Sequence, residues 1–106
     1  MQMKNVFIHH VYFWLKNADS ADDTAALVAG LEKLAACTAI QHYHIGKPAA
    51  TSRDVIDGSY ALSWCLLFAN KNDQDNYQTD PIHLHFIATC QHLWSKVVVY
   101  DSVDVA

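Results

Sequence analysis

Apolar and polar residues alternate with changing period along the chain, and each change marks an element. NVFIHHVYFWLK (residues 5–16) is rich in β-branched and aromatic types and predicts a strand. At period two, His9, Val11, Phe13 and Leu15 share one face, and His10, Tyr12, Trp14 and Lys16 share the other. Both faces carry large apolar groups, the pattern of a strand covered on both sides. The period then lengthens. Leu27, Leu31 and Leu34 fall at i, i+4 and i+7 with Val28 alongside, predicting an amphipathic helix of about four turns. Ser20, with Asp23 three residues on, resembles a capping box with Asp in place of Glu. Gly30, inside this helix, is expected to mark a close approach to the sheet.

AIQHYHIGK (39–47) predicts a second strand closed by Gly46 and Pro48, followed by a long polar loop. SYALSWCLLFA (59–69) predicts a third, with Tyr60, Leu62, Trp64, Leu66 and Phe68 on one face. Asn72, with Asp75 at its third following position, is read as the cap of a short helix running through Gln78. Asp80 and Pro81 then supply a cap and a first helical residue for a further helix, whose buried side takes Ile82, Phe86, Ile87, Cys90, Leu93 and Trp94. KVVVYDSVDV closes the chain as a fourth strand, and the run Val97-Val98-Val99 predicts burial on both faces.

The order β-α-β-β-α-β, its second helix split, predicts a ferredoxin-like α+β fold with an antiparallel sheet. At 106 residues the chain forms a single domain, residues 1–106. Helices cover one face of such a sheet, yet the first and fourth strands are apolar on both. A second copy of the chain, packed sheet against sheet as a twofold homodimer, is the economical cover.

Composition narrows the function classes. The net charge of −4, with seven scattered Lys and Arg, leaves no basic stripe for nucleic acid. The apolar N-terminus is too short for a bilayer span, is broken by histidines and lysine, and lacks a signal-peptide cleavage site; no membrane partner and a cytoplasmic location are expected. Cys37, Cys65 and Cys90 form no CxxC pair and read as reduced core thiols. His42 and His44 share a strand face at chelating spacing but have no carboxylate or cysteine partner in the sequence, so no metal site is expected. His10 faces the proposed dimer interior, and His83 and His85 point in different directions on a helix.

The opening H-H-V-Y-F-W-L-K, the closing V-V-V-Y-D and the segment F-A-N-x5-Y-Q-T-D-P-x-H-x-x-F resemble the stress-responsive α/β-barrel (Dabb) family from about Val6 to Asp101. The resemblance implies a ferredoxin-like domain whose sheets pair into a dimeric α/β barrel. A polyketide cyclase of that family uses histidines on its first and third strands and after the helix-starting proline, with a tyrosine just before that proline. Three of the four positions carry the same residue here: His9, Tyr77 and His83. The fourth is Leu62, so the resemblance does not carry the full cyclase mechanism.

A neutral imidazole at His83 is a competent general base for a C–H beside a carbonyl. The Tyr77 hydroxyl can donate to the developing oxyanion, and His9 can polarise the substrate from the opposite wall. Val11, Phe13, Leu62, Trp64 and Phe86 would line a pocket for a hydrophobic carbonyl compound. No cofactor is expected; haem has no support beyond the presence of histidines. The same three polar residues also fit a packed tyrosine beside two histidines bonded to each other or to backbone. The alternative is therefore a non-catalytic stress-associated ligand-binding protein or a structural homodimer module.

Overall fold

A computed structural model describes residues 1–106. Strand β1 (Phe7–Leu15) leads to helix α1 (Ala21–Leu34), then to strands β2 (His42–Gly46) and β3 (Leu62–Phe68). Helices α2 (Lys71–Thr79) and α3 (Pro81–Cys90) follow, and a 3-10 turn at Gln91–Leu93 feeds strand β4 (Trp94–Val103). The strands form one sheet in the order β2-β3-β1-β4, antiparallel throughout. This is the ferredoxin-like α+β arrangement, with β1 central between β3 and β4.

Local chemistry sets the element ends. Ser20 Oγ accepts from the Asp23 N–H at 3.1 Å and starts α1. Asp80 has extended backbone and accepts from the Ile82 N–H at 2.8 Å, with Pro81 filling the first helical position of α3. The cap of α2 is Asn70, not Asn72. Asn70 also has an aspartate three residues on, and its Oδ1 accepts from the Asp73 N–H at 2.8 Å. Lying two residues nearer the end of β3, it intercepts the chain first.

The core lies between the sheet and the helices. Phe7, His9, Val11, Phe13 and Leu15 of β1 are buried in strict alternation, facing Leu27, Leu31 and Leu34 of α1 and Phe86 of α3. Gly30 does not approach the sheet. It faces α3, where a Cβ would collide with the Cys90 sulfur and touch the Phe86 ring at 3.4 Å. Ile82 is exposed, in the wall of the open groove between α1 and α3; Leu93 and Trp94 lie beyond the helix, in the turn and at the start of β4. Tyr60 also leaves its expected face. The chain bends at Ala61, so the Tyr60 ring meets Tyr12 at 4.9 Å and Trp14 at 6.4 Å on the opposite side of the sheet.

That opposite side has no helices. Paired registers align His44, Cys65, His10 and Tyr100 in one row across it, with Tyr12 and Val98 in the next. Tyr100 is exposed, while Tyr12, Cys65 and Val98 are half-buried. Val97 and Val99, expected to be buried, remain 43% and 45% exposed. They face the helix side, but β4 is the edge strand, with a neighbouring strand on one side alone. No helix is long and apolar enough to cross a membrane.

Candidate active site

Where α2 and α3 pass over β1 and β4, a cavity of about 180 Å³ remains. His9 enters from β1, Tyr77 from α2 and His83 from α3, so three side chains separated in sequence meet in its wall. Val11, Phe13, Trp64 and Phe86 supply apolar lining. Leu62 is buried in the core but does not reach the cavity. The cavity sits over β1 and β4, and from β3 only the large indole of Trp64 extends that far. Val97 and Val99 complete the lining from the edge strand, which explains their incomplete burial.

His9, His83 and Tyr77 each have a defined partner. His9 is buried, and its Nδ1 lies 2.6 Å from a carboxylate oxygen of Asp101, the residue directly opposite it on β4. A carboxylate only accepts, so a neutral His9 carries its proton on Nδ1 and leaves Nε2 with a lone pair. His83 Nδ1 lies 3.1 Å from the Gln78 carbonyl oxygen, and the same logic leaves its Nε2 unprotonated. The two histidines are not bonded to each other. Their common neighbour is Tyr77, whose ring centroid is 6.0 Å from that of His9 and 4.6 Å from that of His83. The Tyr77 hydroxyl accepts from the Trp64 indole N–H at 3.2 Å.

Burial tunes these groups. It pushes the Tyr77 phenol far above its ordinary value, against a smaller opposing effect of the Trp64 hydrogen bond, so the hydroxyl stays protonated. Burial also lowers His83 below the ordinary imidazole value of 6.5; the Gln78 carbonyl and Asp80 oppose this, and His9 reinforces it. His83 is therefore neutral at pH 7. On the open sheet face, His10 is likewise lowered, first by burial and then by the charges of His44 and His9.

These two depressed histidines make stability pH-dependent. Below pH 6.5 the unfolded chain takes up protons that folded His83 and His10 resist. Their contribution is therefore complete above that pH and is lost as pH falls toward the folded values. The urea midpoint should drop between pH 7.5 and pH 5.5, and His83→Gln should flatten the slope. A midpoint independent of pH over this interval would show that neither histidine is held neutral by folding.

Asp101 was not among the residues singled out from sequence. It closes the V-V-V-Y-D segment, but only the β1–β4 register reveals its partner. Other histidines do not converge. His42 and His44 are exposed, and no group of three or more histidine, cysteine or acidic side chains could hold a metal ion. The groove between α1 and α3, about 230 Å³, includes His85 and His92, both exposed and without a buried polar partner. Cys37, Cys65 and Cys90 are free thiols; Cys37 and Cys90 are buried, and Cys65 is half-buried on the open face.

Several known proteins share this fold. A Dabb-family protein with a ferredoxin-like fold from Mesorhizobium loti is 22% identical, with 95% of this chain and 98% of that chain covered at a TM-score of 0.78. A dimeric ferredoxin-like protein of unknown function from Thermobifida fusca is 17% identical over 98% and 95% of the two chains, TM-score 0.75. The hydroxynitrile lyase of Passiflora edulis is 18% identical over 96% and 95%, TM-score 0.79. No curated protein matches the sequence. Residues 7–104 match the model of the stress responsive A/B barrel domain, and with nearly its whole length covered the chain belongs to the Dabb family.

Proposed function

We propose that this protein binds a small hydrophobic carbonyl compound and catalyses proton transfer at the carbon beside the carbonyl, as a cyclase, lyase or isomerase would. The observation that carries this is the 2.6 Å His9–Asp101 pair in the wall of an apolar cavity that also contains a protonated phenol. His9 is the histidine we place as the base, because a carboxylate lies beside its ring. Asp101 stabilises the imidazolium formed when His9 Nε2 takes the proton, whereas burial of His83 opposes its protonation. As the C–H bond breaks, its electron pair moves onto the carbonyl oxygen, and Tyr77 donates a hydrogen bond to the enolate. His83, packed on Tyr77, offers a second acceptor for a substrate hydroxyl. The Passiflora edulis lyase has the same fold and supports including lyase-type substrates among those tested.

The test is exchange of the benzylic protons of phenylacetone in deuterated buffer, followed by NMR. Protein-dependent exchange, abolished when the cavity is blocked by a competing aryl ketone, is the expected result. Exchange no faster than in buffer would sink proton-transfer catalysis for this ligand class and leave ligand binding or a structural role.

The functional unit we propose is a homodimer closed through the open sheet face. Half-buried and exposed aromatic rings there, Tyr12, Tyr60 and Tyr100, need a cover that one chain does not provide, and the Thermobifida fusca relative is dimeric. Tyr100→Glu places a charge in the central row of this face. It should weaken association about 30-fold or more, measured by sedimentation, as loss of a buried aromatic anchor does. An unchanged dimer would show that the contact lies elsewhere.

A further inference from the structure

The geometry points to Trp64 as a positioning residue that fixes Tyr77 as a hydrogen-bond donor and restricts the cavity to monocyclic-sized ligands bearing an acceptor oxygen. Because it acts through Tyr77, this role rests on the ligand site proposed above. Trp64 lies on β3 opposite Val11 of β1, and both Trp64 and Tyr77 are 1% exposed. An indole N–H can only donate, so the sense of the 3.2 Å bond is forced: the Tyr77 oxygen accepts. Conjugation holds the phenolic proton near the ring plane, where the oxygen has two favourable directions. Trp64 occupies one. The proton therefore takes the other, and Trp64 is the hydroxyl's one protein hydrogen-bond partner. The remaining donor is left for a ligand in the cavity that Tyr77 lines.

A donor-only hydroxyl discriminates. A carbonyl or enolate oxygen completes the bond, while a ligand lacking an acceptor leaves a buried O–H unpaired. The indole also sets the size limit. A cavity of about 150 Å³ with apolar walls takes up benzene, so about 180 Å³ suits one ring with a short carbonyl substituent. Without Trp64 the hydroxyl can turn, serve equally as donor or acceptor, and face a larger space.

Binding of acetophenone and of α-methylstyrene, which has a methylene in place of the carbonyl oxygen, is compared by ligand-observed NMR titration. Wild type is expected to prefer acetophenone about tenfold, the scale of one neutral hydrogen bond. Trp64→Phe should reduce this preference, because the hydroxyl, still able to donate, is no longer held toward the ligand. Tyr77→Phe should remove it, and adding Trp64→Phe to that variant should change the preference no further. A Trp64→Phe protein that folds and keeps the full preference overturns the inference, as does failure of wild type to prefer acetophenone. A second measurement needs no change at Trp64: its indole N–H resonance, downfield in wild type, should move upfield in Tyr77→Phe, and an unmoved resonance would also overturn it. Turnover is not involved. Preference without proton exchange would refute the catalytic proposal and leave the role of Trp64 standing.

Discussion

Gly30→Val is expected to destabilise the fold by roughly 3 kcal/mol, the upper part of the usual range for overpacking. In a domain of this size that lowers Tm by roughly 10–20 °C. Two effects oppose each other at this position. Glycine inside α1 costs about 1 kcal/mol relative to alanine, and valine recovers part of that in helix propensity. Against this, the first added carbon already overlaps the Cys90 sulfur, and the Phe86 ring at 3.4 Å closes the neighbouring space. Valine adds two further methyl groups to a contact already too short. The sign should depend on Cys90: Gly30→Ala should destabilise wild type but stabilise a Cys90→Ala background by about 1 kcal/mol. Thermal unfolding of the four proteins decides it. Equal effects of Gly30→Ala in both backgrounds would mean that α1 and α3 are not locked at this contact. The consequence reaches the cavity, since α3 also carries His83 and Phe86.

The helix–helix role of Gly30 shows where sequence reasoning stops. Periodicity along a segment reports which face is buried, and it did so for β1, α1 and most of β3. It does not report which element lies opposite. A glycine in a helix announces a close approach without naming the partner, and here the partner is α3 rather than the sheet. The same gap explains β4. Val97, Val98 and Val99 have the composition of a doubly buried strand, but β4 is at the sheet edge, and edge position depends on the order of strands. Tyr60 was misplaced for a more local reason: alternation holds only while the strand is straight, and the bend at Ala61 reverses it.

The polar residues of the cavity divide similarly. His9, Tyr77 and His83 were legible as a set because they recur in a motif, and the fold brings them to one wall. Their hydrogen-bond partners were not legible. Asp101 is 92 residues from His9 and meets it only through the β1–β4 register. Trp64 was read as apolar lining, which it is, but its N–H bond to Tyr77 depends on how α2 sits over β3. The capping pattern read at Asn72 is matched equally by Asn70 and Asp73, and it is Asn70, nearer the end of β3, that caps the helix.

Asp101→Asn should lower proton exchange by roughly 10²–10⁴-fold, the scale of losing a general base, with little change in thermal stability. The substitution preserves size and position, and Asp101 is partly exposed, so packing alone predicts almost nothing. Proton bookkeeping predicts a large loss. An asparagine amide can donate its N–H to His9 Nδ1, and that nitrogen then holds no proton. The proton moves to Nε2, which is the atom needed as acceptor, and the neutral ring in this tautomer no longer takes a proton there. Nor does a carboxylate remain beside the ring to stabilise an imidazolium. Tyr77→Phe, which removes the oxyanion donor but leaves the base intact, should cost about 10²–10³-fold. The ¹⁵N shifts of His9 separate tautomer reversal from a general disturbance: they should exchange protonated and unprotonated positions in Asp101→Asn and keep them in Tyr77→Phe. An Asp101→Asn protein that retains full exchange would remove His9 as the base. With His9 excluded, His83 Nε2 would be the remaining unprotonated imidazole nitrogen in the cavity wall, and the role first assigned to it from sequence would be the one to test.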